Sequence, residues 1–377
     1  MAAAQSWGAN IAWLSLHNPD GSPSTPAATA GFTTAPDIAY TNLLTSSGHT
    51  VTRITTLAAP ALPDFTMLNT FDLVIIGRSI NSVDFETDAE TDAWNNKITK
   101  PMIIMSGYIL RNNRLGFTSG TTIPDTGGTG NPTAVVKLKA EVPGHAIFNG
   151  ITLDGTNTMT ANYTTGLPTA PYNPAIVHRG ISVNTNNLQG GGQNLATINT
   201  AGDAADDAAL AGNGGMTIGF WPAGSVLTNT TAPDLNDTLG GDRLVFLSGT
   251  REEASPADKA GLFDLTPEGT QLFLNAVSFM SGPLPGLGDV DLDEDVDMDD
   301  FNVIKNNFQK TVSGRAFGDL TGDLKVNWLD FRQWKTAFNA QASAAAGSIP
   351  EPAGVLLGLM AASALLGVGR SLRRRSA

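Results

Sequence analysis

Between Gly288 and Phe301 the chain reads GDVDLDEDVDMDDF, and eight of the twelve residues from Asp289 to Asp300 are acidic. Like charge at that density repels itself unless a cation neutralises it or the stretch is a solvated tail. The spacing favours the cation. Shifted by thirty, residues 288–308 align without a gap on 318–338, GDVDLDEDVDMDDFNVIKNNF over GDLTGDLKVNWLDFRQWKTAF. The shared residues are Gly288/Gly318, Asp289/Asp319, Asp293/Asp323, Val296/Val326, Asp300/Asp330, Phe301/Phe331, Lys305/Lys335 and Phe308/Phe338. A solvated tail has no reason to repeat its oxygens at fixed offsets.

Counted as twelve-residue loops, side-chain oxygens stand at positions 1, 3, 5, 9 and 12. In the first loop they are Asp289, Asp291, Asp293, Asp297 and Asp300; in the second, Asp319, Thr321, Asp323, Asn327 and Asp330. Calcium takes roughly six to eight hard oxygen ligands, and an EF-hand-type loop offers them in this alternation, with a backbone carbonyl at position 7. That carbonyl belongs to Asp295 and Lys325. Two Ca2+ sites are expected, the second the weaker because Thr321 stands where the first loop has a carboxylate. Position 6, usually glycine, is Glu294 and Leu324. Val296 and Val326 are expected to point inward between the loops. Phe301, Ile304, Lys305, Phe308 and Phe331, Trp334, Lys335, Phe338 follow the i, i+3, i+4, i+7 spacing of a buried helical face. Two such loops, each running into a short helix, resemble a type I dockerin over residues 288–340. The resemblance implies a cohesin-like or other envelope protein as partner, and so small a unit should fold with its metal.

The elements ahead of this module must carry any other chemistry. Apolar strand-like segments at 10–17, 50–56, 72–77 and 101–106 alternate with helical ones at 36–48 and 85–97. Strand, helix, strand with short connections indicates an α/β fold with a parallel sheet covered on both faces. Further strands are expected at 134–140, 215–221 and 243–248. A closing helix at 266–280 starts at Thr266-Pro267. Residues 150–213 are Gly/Asn/Thr-rich and give no clear periodicity. The segments TSSGHTVTRI, FDLVIIGRS, KPMIIMSGYILRN, PGHAIFNGITLDGTN and DLTPEGTQLFLNAVSFM resemble the class I glutamine-amidotransferase-like, flavodoxin-type fold, and its ThuA-like relatives. In those amidotransferases the nucleophile is a cysteine on the turn after the strand that KPMIIMSG resembles. The aligned residue here is Ser106 and the chain has no cysteine, which excludes amidotransfer, thiolate zinc sites and disulfides together. A serine there could attack an ester given a base, making a hydrolase of carbohydrate or ester bonds the alternative to a non-catalytic role. The carboxyl ends of the strands bring His17, Arg78, Ser79, Tyr108 and Arg111 to a candidate ligand crevice beside Ser106.

Composition limits the partners. A net charge of −13 opposes phosphate binding, so no nucleic acid is expected. Only the C-terminus is basic. Residues 353–369 form an uncharged apolar run closed by Arg370 and by Arg373, Arg374 and Arg375, long enough for a short transmembrane helix with its arginines on the cytoplasmic side. Pro350-Glu351-Pro352, apolar run and arginine cluster, in that order, resemble the bacterial PEP-CTERM sorting signal. That implies an exported protein anchored in the cell envelope and handled by an exosortase-type enzyme. MAAAQS is compatible with the small-residue end of a secretory signal peptide. The expected organisation is an amidotransferase-like domain at 5–282, a linker at 283–287, the calcium module at 288–340, a second linker at 341–349 and the sorting tail at 350–377.

Overall fold

The structure is a computed structural model that describes residues 8–55, 64–120, 125–126, 136–164, 180–181, 188–199, 214–228, 236–248, 260–281, 288–291, 295–312, 317–320 and 325–347. The chain divides into two compact units, Met1–Leu284 and Pro285–Ala377.

In the first unit the strands are β1 (Asn10–Ser15), β2 (Thr50–Thr55), β3 (Leu73–Ile76), β4 (Met102–Ile104), β5 (Asp125–Thr126), β6 (Leu138–Ala140), β7 (Gly180–Ile181), β8 (Gln193–Ile198), β9 (Met216–Trp221), β10 (Val226–Thr228), β11 (Asn236–Thr238) and β12 (Arg243–Phe246). The helices are α1 (Thr25–Thr29), α2 (Ile38–Ser46), α3 (Phe65–Leu68), α4 (Asp88–Asp92) and α5 (Pro267–Ser281). The main sheet has eight strands in the order β2-β1-β3-β4-β12-β9-β8-β6. From β2 to β12 neighbours run parallel, and from β12 to β6 they run antiparallel.

The expected all-parallel sheet is therefore corrected to a mixed one. Parallel neighbours need a long crossover, usually a helix, and among the described residues only short 3₁₀ turns at Gly107–Leu110 and Ala146–Phe148 stand between β4 and α5. The central strands behave as a doubly covered sheet requires: every residue of β3 and β4 is buried. On α5, Leu272, Phe273, Ala276, Val277 and Met280 make the buried stripe. Thr266 caps its start, accepting the Gly269 N–H at 3.2 Å ahead of Pro267.

Two other differences have physical causes. β8 falls in the stretch whose pattern gave no reading; it is recognisable only through pairing with β6 and β9, distant in sequence. The helix expected at 85–97 is broken into a 3₁₀ turn at Ser82–Phe85, α4, and a π-helical turn at Ala93–Lys97. Arg243, 1% exposed, lies against that last turn. Its guanidinium donates to the carbonyls of Trp94, Asn95, Ile98, Lys100 and Asp242. A buried fork of donors thus satisfies carbonyls that a regular helix would have to pair within itself. Burial lowers the Arg243 pKa to about 10, against the opposing charge of Asp242.

In the second unit α6 (Met298–Asn307) and α7 (Trp328–Gly347) follow the two acidic loops. Val290, Val296, Ile304, Leu320, Val326, Trp334 and Ala337 form its buried apolar cluster. Val296 and Val326 are inside as expected. Lys305 and Lys335 are exposed, which corrects their assignment to the buried face; an ammonium group is costly to bury without a partner. Phe308 lies beyond the end of α6 and packs its ring 5.1 Å from that of Trp328. Among the described residues no helix is long and apolar enough to cross a membrane. The expected span at 353–369 and the sorting residues Pro350, Glu351, Pro352, Arg373, Arg374 and Arg375 lie outside the described residues.

Candidate metal centre

The two loops close onto their helices in the same way. In the first, Asp297 is the N-cap of α6 and accepts the Asp299 N–H at 2.7 Å, while Asp300 accepts the Asp297 N–H at 2.7 Å, a reciprocal capping box. In the second, Asn327 accepts the Leu329 N–H and Asp330 accepts the Asn327 N–H, both at 2.7 Å. The other oxygen of each twelfth residue reaches back to the loop's start. Asp300 Oδ1 accepts from Val290 and, at 3.3 Å, from Asp291; Asp330 Oδ1 accepts from Leu320 at 2.9 Å. Burial follows the repeat as well, residue for residue, from 295–304 to 325–334.

The first loop then brings like charges together. One carboxylate oxygen each from Asp289, Asp291 and Asp300 lie within 4.8 Å of one another, and so do oxygens from Asp295, Asp297 and Asp300. Asp289 and Asp300 are fully buried. The buried pair Asp289 and Asp300 at that separation repels by about 3 kcal/mol at the effective dielectric of a protein, and the exposed Asp291 and Asp295 add less because water and salt screen them. Burial pushes the Asp300 carboxyl above the ordinary carboxylate range, and the charge of Asp289 adds to the rise; the N–H groups of Asp297, Val290 and Asp291 oppose it. Clustered hard oxygens, those of Asp289 and Asp300 shielded from water, suit a divalent cation of the calcium type. The fit has one feature that the spacing alone did not reveal. Asp295, expected to contribute through its carbonyl, also brings its carboxylate to the group.

In the second loop Asp319 and Asp330 are buried at 2% and 0% exposure, matching Asp289 and Asp300. Lys325 is exposed and Asn327 half-buried. Asp293, Thr321 and Asp323, together with Glu294 and Leu324, lie outside the described residues.

The candidate crevice of the first unit is drawn together at the carboxyl ends of β1, β3 and β4, but it is closed. His17, Arg78, Ser79 and Ser106 are all at most 2% exposed, and only Tyr108 and Arg111 are half-buried. A Cβ added to Gly261 would stand 3.3 Å from Asp37 Cβ and 3.6 Å from both Arg78 Cβ and the Ser79 nitrogen, so that segment lies directly across the strand ends. His17 Nε2 is 3.1 Å from Ser79 Oγ, while its Nδ1 accepts the Ser24 N–H at 3.3 Å. A ring whose Nδ1 accepts carries its proton on Nε2, so the imidazole donates to Ser79 and is not its base. Ser106 has ordinary extended backbone angles, φ −103° and ψ 113°, rather than the strained turn that presents a serine nucleophile. Among the described residues no hydrogen bond joins Ser106 to a histidine. Arg78 and Arg111 both lie over the Tyr108 ring, at 5.5 and 5.9 Å, and Arg111 also donates to the Tyr108 carbonyl and to Ser82 Oγ. Among the described residues the arrangement packs polar groups together, and the His17 ring is engaged by Ser79 and Ser24.

Sequence reasoning passed over Trp334 as anything but a core residue, yet its indole Nε1–H donates to the Asp297 carbonyl at 2.9 Å. Setting the repeats side by side shows the signal: Trp334 stands opposite Ile304. Compared with known proteins, the chain matches no family model, and no curated protein matches it either.

Proposed function

We propose that the chain is an exported, envelope-anchored surface or assembly protein that attaches to a partner protein through a calcium-loaded, dockerin-like module. The observation that carries this reading is the duplicated loop. Two thirty-residue repeats share acidic positions, capping hydrogen bonds and burial, and the first gathers carboxylates that repel one another without a cation. In the first loop Asp289, Asp291, Asp293, Asp295, Asp297 and Asp300 would hold Ca2+, and in the second Asp319, Thr321, Asp323, Lys325 (by its carbonyl), Asn327 and Asp330. The ion would neutralise each cluster and tie both ends of the loop to the helix that follows.

Attachment is favoured by what the module leaves outside. Met298 and Trp328, at equivalent points of the two repeats, are 50% and 64% exposed, and Leu329 is 40% exposed. Large apolar groups held out at helix starts suit a protein partner better than a small ligand. The first unit then serves as the body that the module attaches. Its strand order from β2 to β12 corresponds to the flavodoxin-like order 2-1-3-4-5, in keeping with the amidotransferase-like reading. Its closed strand ends and lack of cysteine favour a non-catalytic role. The tail, with its apolar span at 353–369, supports anchoring in a bacterial envelope.

The test is capture by the full-length chain from an envelope extract, with calcium and with chelator, beside a Trp328→Ser/Leu329→Ser variant. The reading expects calcium-dependent capture that the variant loses. Capture that persists in chelator would contradict it.

A further inference from the structure

The next step rests on the calcium reading of the module. α7 belongs to the second repeat, but it supports the first loop at two points. The indole of Trp334 donates to the carbonyl of Asp297, and a Cβ added to Gly288 would come within 3.2 Å of Trp334 Cα. Asp297 is the ninth residue of its loop and the N-cap of α6, so the indole grips the joint between the ion-binding segment and its helix. The ring itself has little freedom. Trp334 is 6% exposed, with the rings of Phe301 and Phe338 at 5.0 and 5.1 Å and that of Phe331 at 5.8 Å.

The reverse support is built differently, with the Asn307 side-chain amide of α6 donating to the Phe317 carbonyl at 2.9 Å, just ahead of the second loop. Gly318 seats on α6 as Gly288 does on α7, since a Cβ there would meet Ile304 Cα at 3.0 Å. But the twin of Trp334 is Ile304, whose side chain has no N–H or O–H to offer the second loop. The crossed seating is symmetric, but Ile304 supplies no counterpart of the indole bond to the ninth loop residue. α7 also starts inside the second loop, with Asn327 just ahead of its first turn and Asp330 within it.

We propose that Trp334 is a positioning residue for the first calcium loop: ordering of the second loop fixes α7, and the Trp334 indole carries that order to Asp297. By linkage, each loop then favours the other, to the same extent in both directions.

The experiment is calcium calorimetry on the full-length, chelator-stripped chain, comparing wild type with Trp334→Phe, which keeps an aromatic ring and removes the donor. The same pair is then measured with Asp289→Asn and Asp291→Asn added, so that only the second loop binds. Loss of one hydrogen bond corresponds to a fall of about three- to tenfold in one binding step of the otherwise intact chain. The second loop measured alone should be unchanged by Trp334→Phe. An equal loss in both backgrounds overturns the proposal, because Trp334 would then only stabilise α7. No change in either background overturns it as well. No binding by the wild-type chain at millimolar calcium is a separate result, which removes the calcium reading and this inference with it.

Discussion

The two units handle buried charge in opposite ways. In the first, each buried ionic group described in detail has protein partners. Asp37 accepts from Arg53 at 2.6 Å and from the Trp13 indole at 2.8 Å, Asp264 accepts from Tyr40 at 2.7 Å, and Arg243 is ringed by carbonyls. In the second, the buried carboxylates have backbone N–H partners, as Asp300 does, but also stand against one another, Asp289 and Asp300 with Asp291 beside them. A body that closes its own electrostatics can fold without help. On the calcium reading, a module that sets like charges together would take a cation from solution, and its fold would become conditional on it.

The contrast breaks first at Arg243. Arg243→Met leaves several buried carbonyls without donors and should destabilise the first unit by about 3–5 kcal/mol. Thermal unfolding followed by hydrogen exchange would register this in β4, β12 and the 82–97 segment, with the module's exchange unchanged. Equal destabilisation of both units would show that they do not fold independently.

Acid provides a second lever. Burial lowers the His49 pKa from 6.5 to about 4. A group with a depressed folded pKa contributes stability that is present above its unfolded value and lost as pH falls through the folded one. The window therefore runs from pH 6.5 down to about 4, and the loss is about 2–3 kcal/mol. A His49→Gln variant should lack that part of the acid sensitivity, measured by urea unfolding at pH 7 and pH 4. The same slope in variant and wild type would remove His49 as the cause.

Within the module the smallest change sharpens the comparison between its loops. Asn327→Asp gives the second loop the carboxylate that the first has at Asp297. It keeps an oxygen to accept the Leu329 N–H. Calcium binding at that loop should tighten by about three- to tenfold, the equivalent of roughly 1 kcal/mol. Unchanged affinity would mean that position 9 faces away from the ion.

Legibility divides along the same physical line. The apolar runs of β3 and β4, the Thr266-Pro267 start of α5 and the thirty-residue repeat are local patterns, readable because their causes are local. β8 was not readable, because Gln193–Ile198 acquires strand character only from partners far along the chain. The antiparallel half of the sheet was hidden for a related reason: side-chain period records a strand but not its direction. Ser106 could be placed at a strand end, but its unstrained backbone and the engagement of the His17 ring by Ser79 and Ser24 are set in three dimensions. Trp334 looked like core and is core; that its N–H also spans thirty-seven residues to Asp297 is set by the crossing of two helices.

The central claim, a module whose fold is conditional on calcium beside a body that is self-sufficient, is tested most directly by hydrogen exchange on the full-length chain with and without chelator. The account predicts that amides of residues 288–338 lose protection when calcium is withdrawn while those of β1, β3, β4 and α5 keep theirs. Unchanged protection in the module would contradict it.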